Sequence, residues 1–230
     1  MSMAIHDPAN LLGRGIYSVS EAKRLTGVSR DSIVRWMCGY ERKQAGKTIS
    51  QPALWKAEIG RYDDDAIALS FRDLMEIRFI DAFRKHGVNW TKIRAAAEFA
   101  EKELKDNHPF STKRFQTDGK RIFAENAELL DLDTQNFQYA LHEVIKHSFV
   151  KSIEFVDNIP SAWWVAENRH IIVDPKRNFG KPTLDKSGIQ TLVIAKAVET
   201  EKDLPAVARM YEISVAAARA AVDFEHRIAA

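Results

Sequence analysis

Between residues 17 and 40 the hydrophobic positions have the spacing of two short helices. Ser18 and Glu21 lie three residues apart, the spacing of a capping box, and the helix that follows has an apolar face of Val19, Ala22 and Leu25. Ser29 can cap a second helix, whose apolar face contains Ile33, Trp36 and Met37. Gly27 stands between them and can adopt the positive φ that ends a helix. The pattern predicts two helices joined by a tight turn, the helix-turn-helix arrangement.

Three spaced positions bear on this prediction, because such motifs usually hold a small residue, a glycine four positions later and an aliphatic residue six positions after that. Here the three are Lys23, Gly27 and Ile33, so two of them fit and Lys23 stands where alanine is usual. Its aliphatic stem would lie along the neighbouring helix, with the ammonium group in solvent. An ordinary helical hairpin is the alternative.

The following segment contains short apolar pieces separated by glycine and proline. Those at 47–49, 53–55 and 67–69 predict small strands that form a β-wing after the second helix. Four cations make this wing basic: Arg42, Lys43, Lys47 and Lys56. The three aspartates at 63–65 predict a solvated loop rather than a metal site, because consecutive carboxylates diverge on a regular backbone.

Longer helices are predicted in the middle of the chain. Apolar residues recur at every fourth position after Ser70, which has capping-box spacing with Asp73. Asn89 can cap the next helix, and another helical pattern begins near residue 136. Between these two helices, Asp118-Gly119 predicts a hairpin turn.

The C-terminal half combines extended and helical patterns. Three segments predict strands: 152–156, 162–167 and 170–175. Helical patterns begin near residues 191, 204 and 214. Ala208, Glu212 and Ala218 repeat the spacing of the N-terminal motif, either as a second helix-turn-helix unit or as an unrelated helical hairpin. The last helix is lined by alanine, which reads little of a base edge beyond a thymine methyl group, so we expect it to pack against a partner or a second copy.

Composition narrows the class of protein. The chain has 230 residues, 45% hydrophobic and 29% charged, enough for one large or two small folded domains. Its single cysteine, Cys38, excludes a disulfide framework and any site built on several thiolates. No apolar run reaches about 18 residues and no signal-peptide core is present, so we expect a cytoplasmic protein without membrane association.

The net charge of +2 is unevenly distributed along the chain. Residues 1–60 carry +4, residues 61–125 carry +1, and residues 126–230 carry −3. We therefore expect a polyanion to bind to the N-terminal part of the chain.

The sequence contains no convincing catalytic or metal motif. His142 and His147 resemble a zinc-protease pair, but they are five residues apart and diverge by ~140° on a helix. Lys146 occupies the position where the second ligand belongs. The GxSxG nucleophile elbow and the Walker-type phosphate-binding loop are also absent. We therefore expect no enzymatic activity, no metal and no cofactor.

The second predicted helix offers exposed cations for DNA. Asp31 and Arg35 face away from its apolar side, and Arg30 stands in the first turn, from which recognition helices reach base edges. Arginine pairs bidentately with guanine, and Arg35 could read a base or hold a phosphate. The predicted DNA-binding residues are Ser29, Arg30, Asp31, Arg35, Arg42, Lys43, Lys47 and Lys56.

These segments resemble known families. YSVSEAKRLTGVSRDSIVRW, with the wing and LSFRDLMEIRFIDAFRKHGVNWTKIR, resembles MerR-like winged helix-turn-helix domains. IIVDPKRNFGKPTLDKSGIQTLVIAKAV and VARMYEISVAAARAAVDFE resemble domain-of-unknown-function family 433. Together, with HPFSTKRFQTDGKRIF between them, they resemble VapB-type antitoxins that pair with a PIN-like ribonuclease toxin. The resemblance covers nearly the whole chain.

The resemblance implies a mainly α protein with small β-hairpins and two domains. Residues 1–125 would be a winged helix-turn-helix that binds operator DNA of its own operon. Residues 126–230 would be a helical, helix-turn-helix-like domain that binds the toxin. Because one recognition helix of this size reads too few base pairs for useful specificity, we also expect a homodimer. The densest basic segment of this half supplies the predicted toxin contacts: Arg177, Phe179, Lys181 and Pro182.

Two alternatives remain open. A MerR-like one-component transcription regulator would respond to a small molecule, in a pocket lined by Trp163 and Trp164. An enzyme would use acidic residues of the C-terminal half, although no paired-carboxylate arrangement supports it.

Overall fold

The computed structural model describes residues 11–44, 47–61, 66–125, 134–146, 152–166 and 168–229. This part of the chain is mainly helical with small antiparallel sheets, and it divides into two compact units. The first unit contains the described residues from 17 to 146 together with 155–160. The second contains residues 11–16, 152–154 and the described residues from 161 to 229.

The helices of the first unit are α1 (Val19–Thr26), α2 (Arg30–Cys38), α3 (Phe71–Lys85), α4 (Trp90–Leu104), α5 (Lys113–Glu125) and α6 (Thr134–Lys146). Those of the second are α7 (Thr191–Glu201), α8 (Leu204–Met210) and α9 (Val215–Ala229). The strands are β1 (Tyr17–Ser18), β2 (Tyr40–Gln44), β3 (Lys47–Gln51), β4 (Gly60–Arg61), β5 (Ile67–Leu69), β6 (Ile153–Val156), β7 (Ile159–Trp164), β8 (Ile171–Val173) and β9 (Thr183–Leu184). Among the described residues, no helix is both long and apolar enough to cross a membrane.

The predicted capping signals are confirmed at four helix starts, including that of α4, where the Asn89 side chain accepts the Lys92 N–H at 2.9 Å. Ser18 with Glu21 and Ser70 with Asp73 form capping boxes at the beginning of α1 and α3. The Ser29 hydroxyl caps α2. Each cap uses groups within three residues along the chain, so the signal is complete in the local sequence.

Two small sheets belong to the first unit. In one, β1 pairs with β5 and β5 pairs with β4, both antiparallel. In the other, β2 and β3 form a hairpin in which Tyr40 pairs with Gln51. Strands therefore form at 47–49 and 67–69 as predicted, but they belong to different sheets and do not form one wing.

The strand predicted at 53–55 is wrong, because this segment follows β3 without joining either sheet. The Leu54 N–H donates to the Trp36 carbonyl at 2.7 Å, near the end of α2. Trp55 is buried, with 6% of its side chain exposed. The apolar residues of this segment are therefore buried as predicted, but its backbone pairs with a helix end.

Aromatic rings fill the centre of the first unit. Phe83 of α3 stacks on Phe137 of α6, with 5.8 Å between centroids and 7° between planes. Phe123 of α5 lies 5.2 Å from the same ring. These contacts place α6 in the first unit, although it follows the predicted domain boundary at residue 125. The roles assigned to the two domains stay predictions.

The hairpin turn predicted at Asp118-Gly119 is wrong, because both residues lie inside α5. Gly119 is buried, and a Cβ atom at this position would lie 3.4 Å from the Phe115 ring and 3.6 Å from Ile145 of α6. These are ordinary van der Waals distances, so the packing of α5 would also accept a small side chain at this position.

The buried carboxylate of Asp73 joins three segments of the first unit. Its Oδ1 accepts the Trp55 indole N–H at 2.7 Å and lies 2.8 Å from His108 Nε2, while its Oδ2 accepts the Ser70 N–H at 2.9 Å. Burial acts to raise the pKa of Asp73, but the hydrogen bond and charge of His108 outweigh it and hold the pKa below its ordinary value. The same contact keeps the pKa of His108 above its ordinary value despite burial. Each group therefore stabilises the charged form of the other.

A second buried carboxylate, Glu76, lies about one turn further along α3. It accepts the N–H groups of Phe110 and Ser111 at 3.1 and 2.9 Å. Burial raises the pKa of Glu76 to about 7, although the charge of His108 and the two N–H donors act in the opposite direction. This carboxylate attaches the short turn Pro109–Ser111 to α3.

The second unit combines strands and helices, as the extended patterns at 152–156, 162–167 and 170–175 predict for the C-terminal half. The sheet order is β6, β7, β8, β9, and β8 is buried along its whole length. The Thr191 hydroxyl at the start of α7 donates to the Glu225 carboxylate near the end of α9. Ala208 and Ala218 are buried on α8 and α9, and Glu212 between these helices has φ +52°.

We expect the free energy of unfolding to fall as the pH rises from about 4.5 to 7.5. The pKa of Glu76 is about 7 in the folded chain and ordinarily 4.5, so the folded state holds more protons across this window and loses stability as the pH rises. The difference corresponds to about 3 kcal/mol. The raised pKa of His108 acts in the same direction at higher pH, where its stabilising charge is lost.

Urea denaturation at several pH values checks this expectation. Glu76→Gln, which cannot ionise, should flatten the dependence between pH 4.5 and 7.5. A wild-type stability that rises through this window would contradict the burial of this carboxyl group.

Candidate nucleic-acid interface

Helix α2 carries the predicted recognition residues on its exposed side. Its N-cap Ser29 accepts the Ser32 N–H at 3.2 Å, which fixes the first turn. Arg30 and Asp31 in that turn are exposed, and so is Arg35 one turn later. The structure thus places these three charged side chains on one accessible helix.

The opposite face of α2 is buried as the sequence predicts. Ile33, Trp36 and Met37 are at most 8% exposed. Gly27 has φ +75°, and its N–H donates to the Lys23 carbonyl at 2.8 Å to end α1. The Lys23 side chain is exposed. The turn therefore has the left-handed backbone for which glycine is suited.

The β2–β3 hairpin follows α2 directly and holds most of the predicted wing cations. Lys43 on β2 is exposed, and Lys56 is exposed in the segment after β3. Arg42 and Lys47 lie in the hairpin ladder, where the structure describes their backbone. The Arg35 guanidinium of α2 lies 5.7 Å from the centroid of the Tyr40 ring at the start of β2.

Gly39 connects α2 to this hairpin in a conformation that other residues rarely adopt. Its φ of +73° and ψ of −178° belong to a region that is essentially limited to glycine. A Cβ atom here would overlap the Gln51 carbonyl oxygen and lie 2.9 Å from both the Ala53 nitrogen and the Pro52 carbonyl carbon. The position of the hairpin next to α2 therefore depends on this glycine.

Residues of α3 and α4 support α2 in a way that sequence reasoning missed. The Trp90 ring lies 5.2 Å from the Trp36 ring, and the Arg84 guanidinium lies 5.2 Å over Trp90. Arg94 donates to the carbonyls of residues 52 and 53 at 3.0 and 3.3 Å. The four-residue spacing of Trp90 and Arg94 shows in the sequence that they share a helix face, but their partners are distant in the chain.

A named protein and a solved structure are each similar to this chain over most of its length. No protein family model matches it. A Mycobacterium tuberculosis (strain H37Rv) protein named "Putative antitoxin VapB45" is 25% identical over 223 residues, covering 90% of this chain and 92% of that protein. The crystal structure of Rv2018 from M. tuberculosis matches with a TM-score of 0.70 at 21% identity, covering 90% of this chain and 96% of that one. This structural likeness shows a shared fold.

The predicted toxin-binding residues lie in the second unit, in the loop that connects β8 to β9. The Arg177 guanidinium donates to Asp185, at 2.9 Å to the carboxylate and also to the backbone carbonyl. Phe179 is 57% exposed, whereas Lys181 and Pro182 are half-buried. The four residues are therefore close in the chain but differ in how much of each a partner could reach.

The two tryptophans considered for a small-molecule pocket, Trp163 and Trp164, are buried or in contact with other side chains of the protein. Trp163 is 8% exposed. The Trp164 indole N–H donates to Glu154 at 2.7 Å, and the Arg169 guanidinium lies 5.3 Å over the Trp164 ring. These contacts lend no support to a ligand pocket at these two residues.

Within the described ranges, no three His, Cys, Asp or Glu side chains gather where they could hold a metal ion. Cys38 is exposed at the end of α2. The aspartates at 63–65 and His147 lie outside the described residues.

We expect Gly39→Ala to lower the free energy of unfolding by about 3 kcal/mol or more, because an unfavourable backbone conformation and a backbone overlap would occur together. Gly27→Ala is the matched control. Gly27 also has a positive φ, but no atom lies within 4 Å of an added Cβ, so the cost should be about 1 kcal/mol. Urea denaturation of the two variants measures the difference, and equal losses would argue against the steric role of Gly39.

Proposed function

We propose that this chain is the antitoxin of a type II toxin–antitoxin pair, which neutralises a PIN-like ribonuclease toxin and represses its own operon by binding operator DNA. The observation that carries the proposal is the similarity to the mycobacterial protein named as an antitoxin. That alignment covers 90% of this chain and therefore includes most of both structural units. The role is one of binding and regulation, without an enzymatic reaction.

The DNA-binding role rests on α1, α2 and the β2–β3 hairpin. Their order along the chain is that of a winged helix-turn-helix, with α2 as the recognition helix. Arg30 in the first turn would reach a base edge, and Arg35 would read a base or hold a phosphate. The wing cations would contact phosphates and supply affinity without sequence preference.

The proposal includes a homodimer, because one recognition helix of this length reads few base pairs. Two copies of α2 would occupy half-sites about 34–36 Å apart, or a multiple of that distance. The alanine-rich helix α9 is a candidate interface, since Val215 and Ala216 are exposed on it. Helix α6 is the other candidate.

The toxin-binding role rests on the loop between β8 and β9. In this division of roles, residues 1–125 bind DNA and residues 126–230 bind the toxin. Helix α6 falls within residues 126–230 but packs in the first unit. The proposed toxin contacts follow α6 in the chain and belong to the second unit.

We expect Arg30→Ala to weaken operator binding by about 1–3 kcal/mol and to relax specificity at one base pair, because alanine cannot pair bidentately with a guanine. Lys43→Ala should instead weaken binding to all sequences alike. Removing one lysine–phosphate interaction should reduce the salt slope of the affinity by about one. Fluorescence anisotropy with operator and scrambled duplexes at several salt concentrations separates the two effects.

Lys196→Ala is a suitable control, since Lys196 is an exposed cation on α7 of the second unit. It should leave both affinity and salt slope unchanged. Unchanged operator affinity in the double variant Arg30→Ala/Arg35→Ala would rule out α2 as the recognition helix.

We also expect the two proposed activities to separate by mutation in the full chain. The double variant Arg30→Ala/Arg35→Ala should lose operator binding and still inhibit the ribonuclease. Phe179→Ala should bind the operator normally and inhibit the ribonuclease less well. The measurements are operator affinity and ribonuclease activity titrated with each variant. If the double variant lost inhibition to the same degree as operator binding, the assignment of roles to the two units would be wrong.

A further inference from the structure

The loop between β8 and β9 presents an exposed aromatic side chain from a strained backbone. Phe179 has φ +55° and ψ 28°, and its neighbours Asn178 and Gly180 also have positive φ. Glycine and asparagine adopt this left-handed region readily, whereas a bulky aromatic residue does so at a cost. More than half of the Phe179 side chain is exposed, so burial within the unit compensates little of that cost.

Hydrogen bonds on both sides hold this turn in place. The Asn178 side-chain amide donates to the Gly188 carbonyl at 2.9 Å. The Phe179 carbonyl accepts the Ile16 N–H at 3.0 Å, and the Gly180 N–H donates to the Arg177 carbonyl at 2.9 Å. The backbone that carries the ring is therefore ordered before any partner binds, which reduces the conformational entropy lost on association.

The segment around the turn, residues 174–190, has a net positive charge. Residues 174–190 contain four Lys or Arg and two Asp, although the C-terminal half as a whole is net acidic. Both acids are already engaged, since Asp185 pairs with Arg177 and Asp174 accepts the Lys176 N–H at 2.8 Å. A complementary surface would therefore be acidic around an apolar centre.

We propose that Phe179 is a preformed aromatic anchor, which inserts into an apolar socket with an acidic rim on a protein partner. Arg177 acts as a positioning residue, because its guanidinium is used to hold the loop through Asp185. The exposed amines of Lys176 and Lys186 face the acidic rim. The inference rests on the proposed function, in which this partner is the ribonuclease toxin.

The experiment uses the full chain and the purified PIN-like ribonuclease of the proposed toxin–antitoxin pair, with binding measured by biolayer interferometry. Phe179→Ala should weaken binding about 30-fold or more, the effect of removing a central aromatic anchor. Met210→Ala is the matched control, since Met210 is a 63% exposed apolar side chain of the same unit. It should leave the affinity unchanged.

A glycine variant distinguishes an anchor from a residue needed for folding. Phe179→Gly relieves the left-handed strain, so it should raise the midpoint of thermal unfolding while it weakens binding at least as much as Phe179→Ala does. Loss of both stability and binding would overturn the inference, because Phe179 would then support the fold.

Salt dependence separates the positioning residue from the rim cations. The double variant Lys176→Ala/Lys186→Ala should slow association and make affinity less sensitive to salt. Arg177→Ala should lower the affinity with the salt dependence of the wild type. A reduced salt dependence in Arg177→Ala would show that Arg177 touches the partner, and would overturn its positioning role.

The remaining outcomes separate this inference from the proposed function. If the wild-type chain does not bind the ribonuclease, both fail. If it binds and Phe179→Ala binds equally well, the anchor is wrong and the antitoxin role stands. If Phe179→Ala changes the oligomeric state of the chain in light scattering and leaves ribonuclease binding intact, the socket belongs to a second copy and the inference is overturned.

Discussion

The organisation of the first unit depends on one buried carboxylate. Asp73 receives hydrogen bonds from the start of its own helix, from the Trp55 indole and from the His108 ring. These donors come from segments on either side of α3 in the chain, and an unpaired carboxylate in this position would be costly. Satisfying it therefore brings the segment after β3 and the segment after α4 together against one end of α3.

This constraint reaches the proposed interface through the backbone around Trp55. The adjoining Leu54 N–H caps the carbonyl of Trp36 at the end of α2, and Arg94 holds the carbonyls of residues 52 and 53. Helix α2 is thus fixed at its C-terminal end by a segment that is itself anchored on Asp73. A short helix of nine residues has little stability of its own, so these contacts determine where its exposed charges lie.

The sequence predicted those features whose physics is local. The caps at Ser18, Ser29 and Ser70, and the buried face of α2, depend on residues within one or two turns of each other. The failures share a different cause. Asp118 and Gly119 lie inside α5, which packs against Ile145 of α6, and the segment at 53–55 is bound by α2 and α4. Neither partner can be identified from neighbouring residues, because a distant contact overrides the local propensity.

Two left-handed positions show how the candidate sites differ physically. At Gly39 the backbone conformation excludes a side chain, and glycine occupies it. The sequence there agrees with the needs of the fold. At Phe179 a milder left-handed backbone carries an exposed aromatic ring, for which glycine would serve the fold better. Strain without internal compensation is typical of residues that act on something outside the fold. The same reasoning separates two of the arginines predicted for binding. Arg177 is held by Asp185 within its own loop, whereas Arg30 extends from the first turn of α2 into solvent.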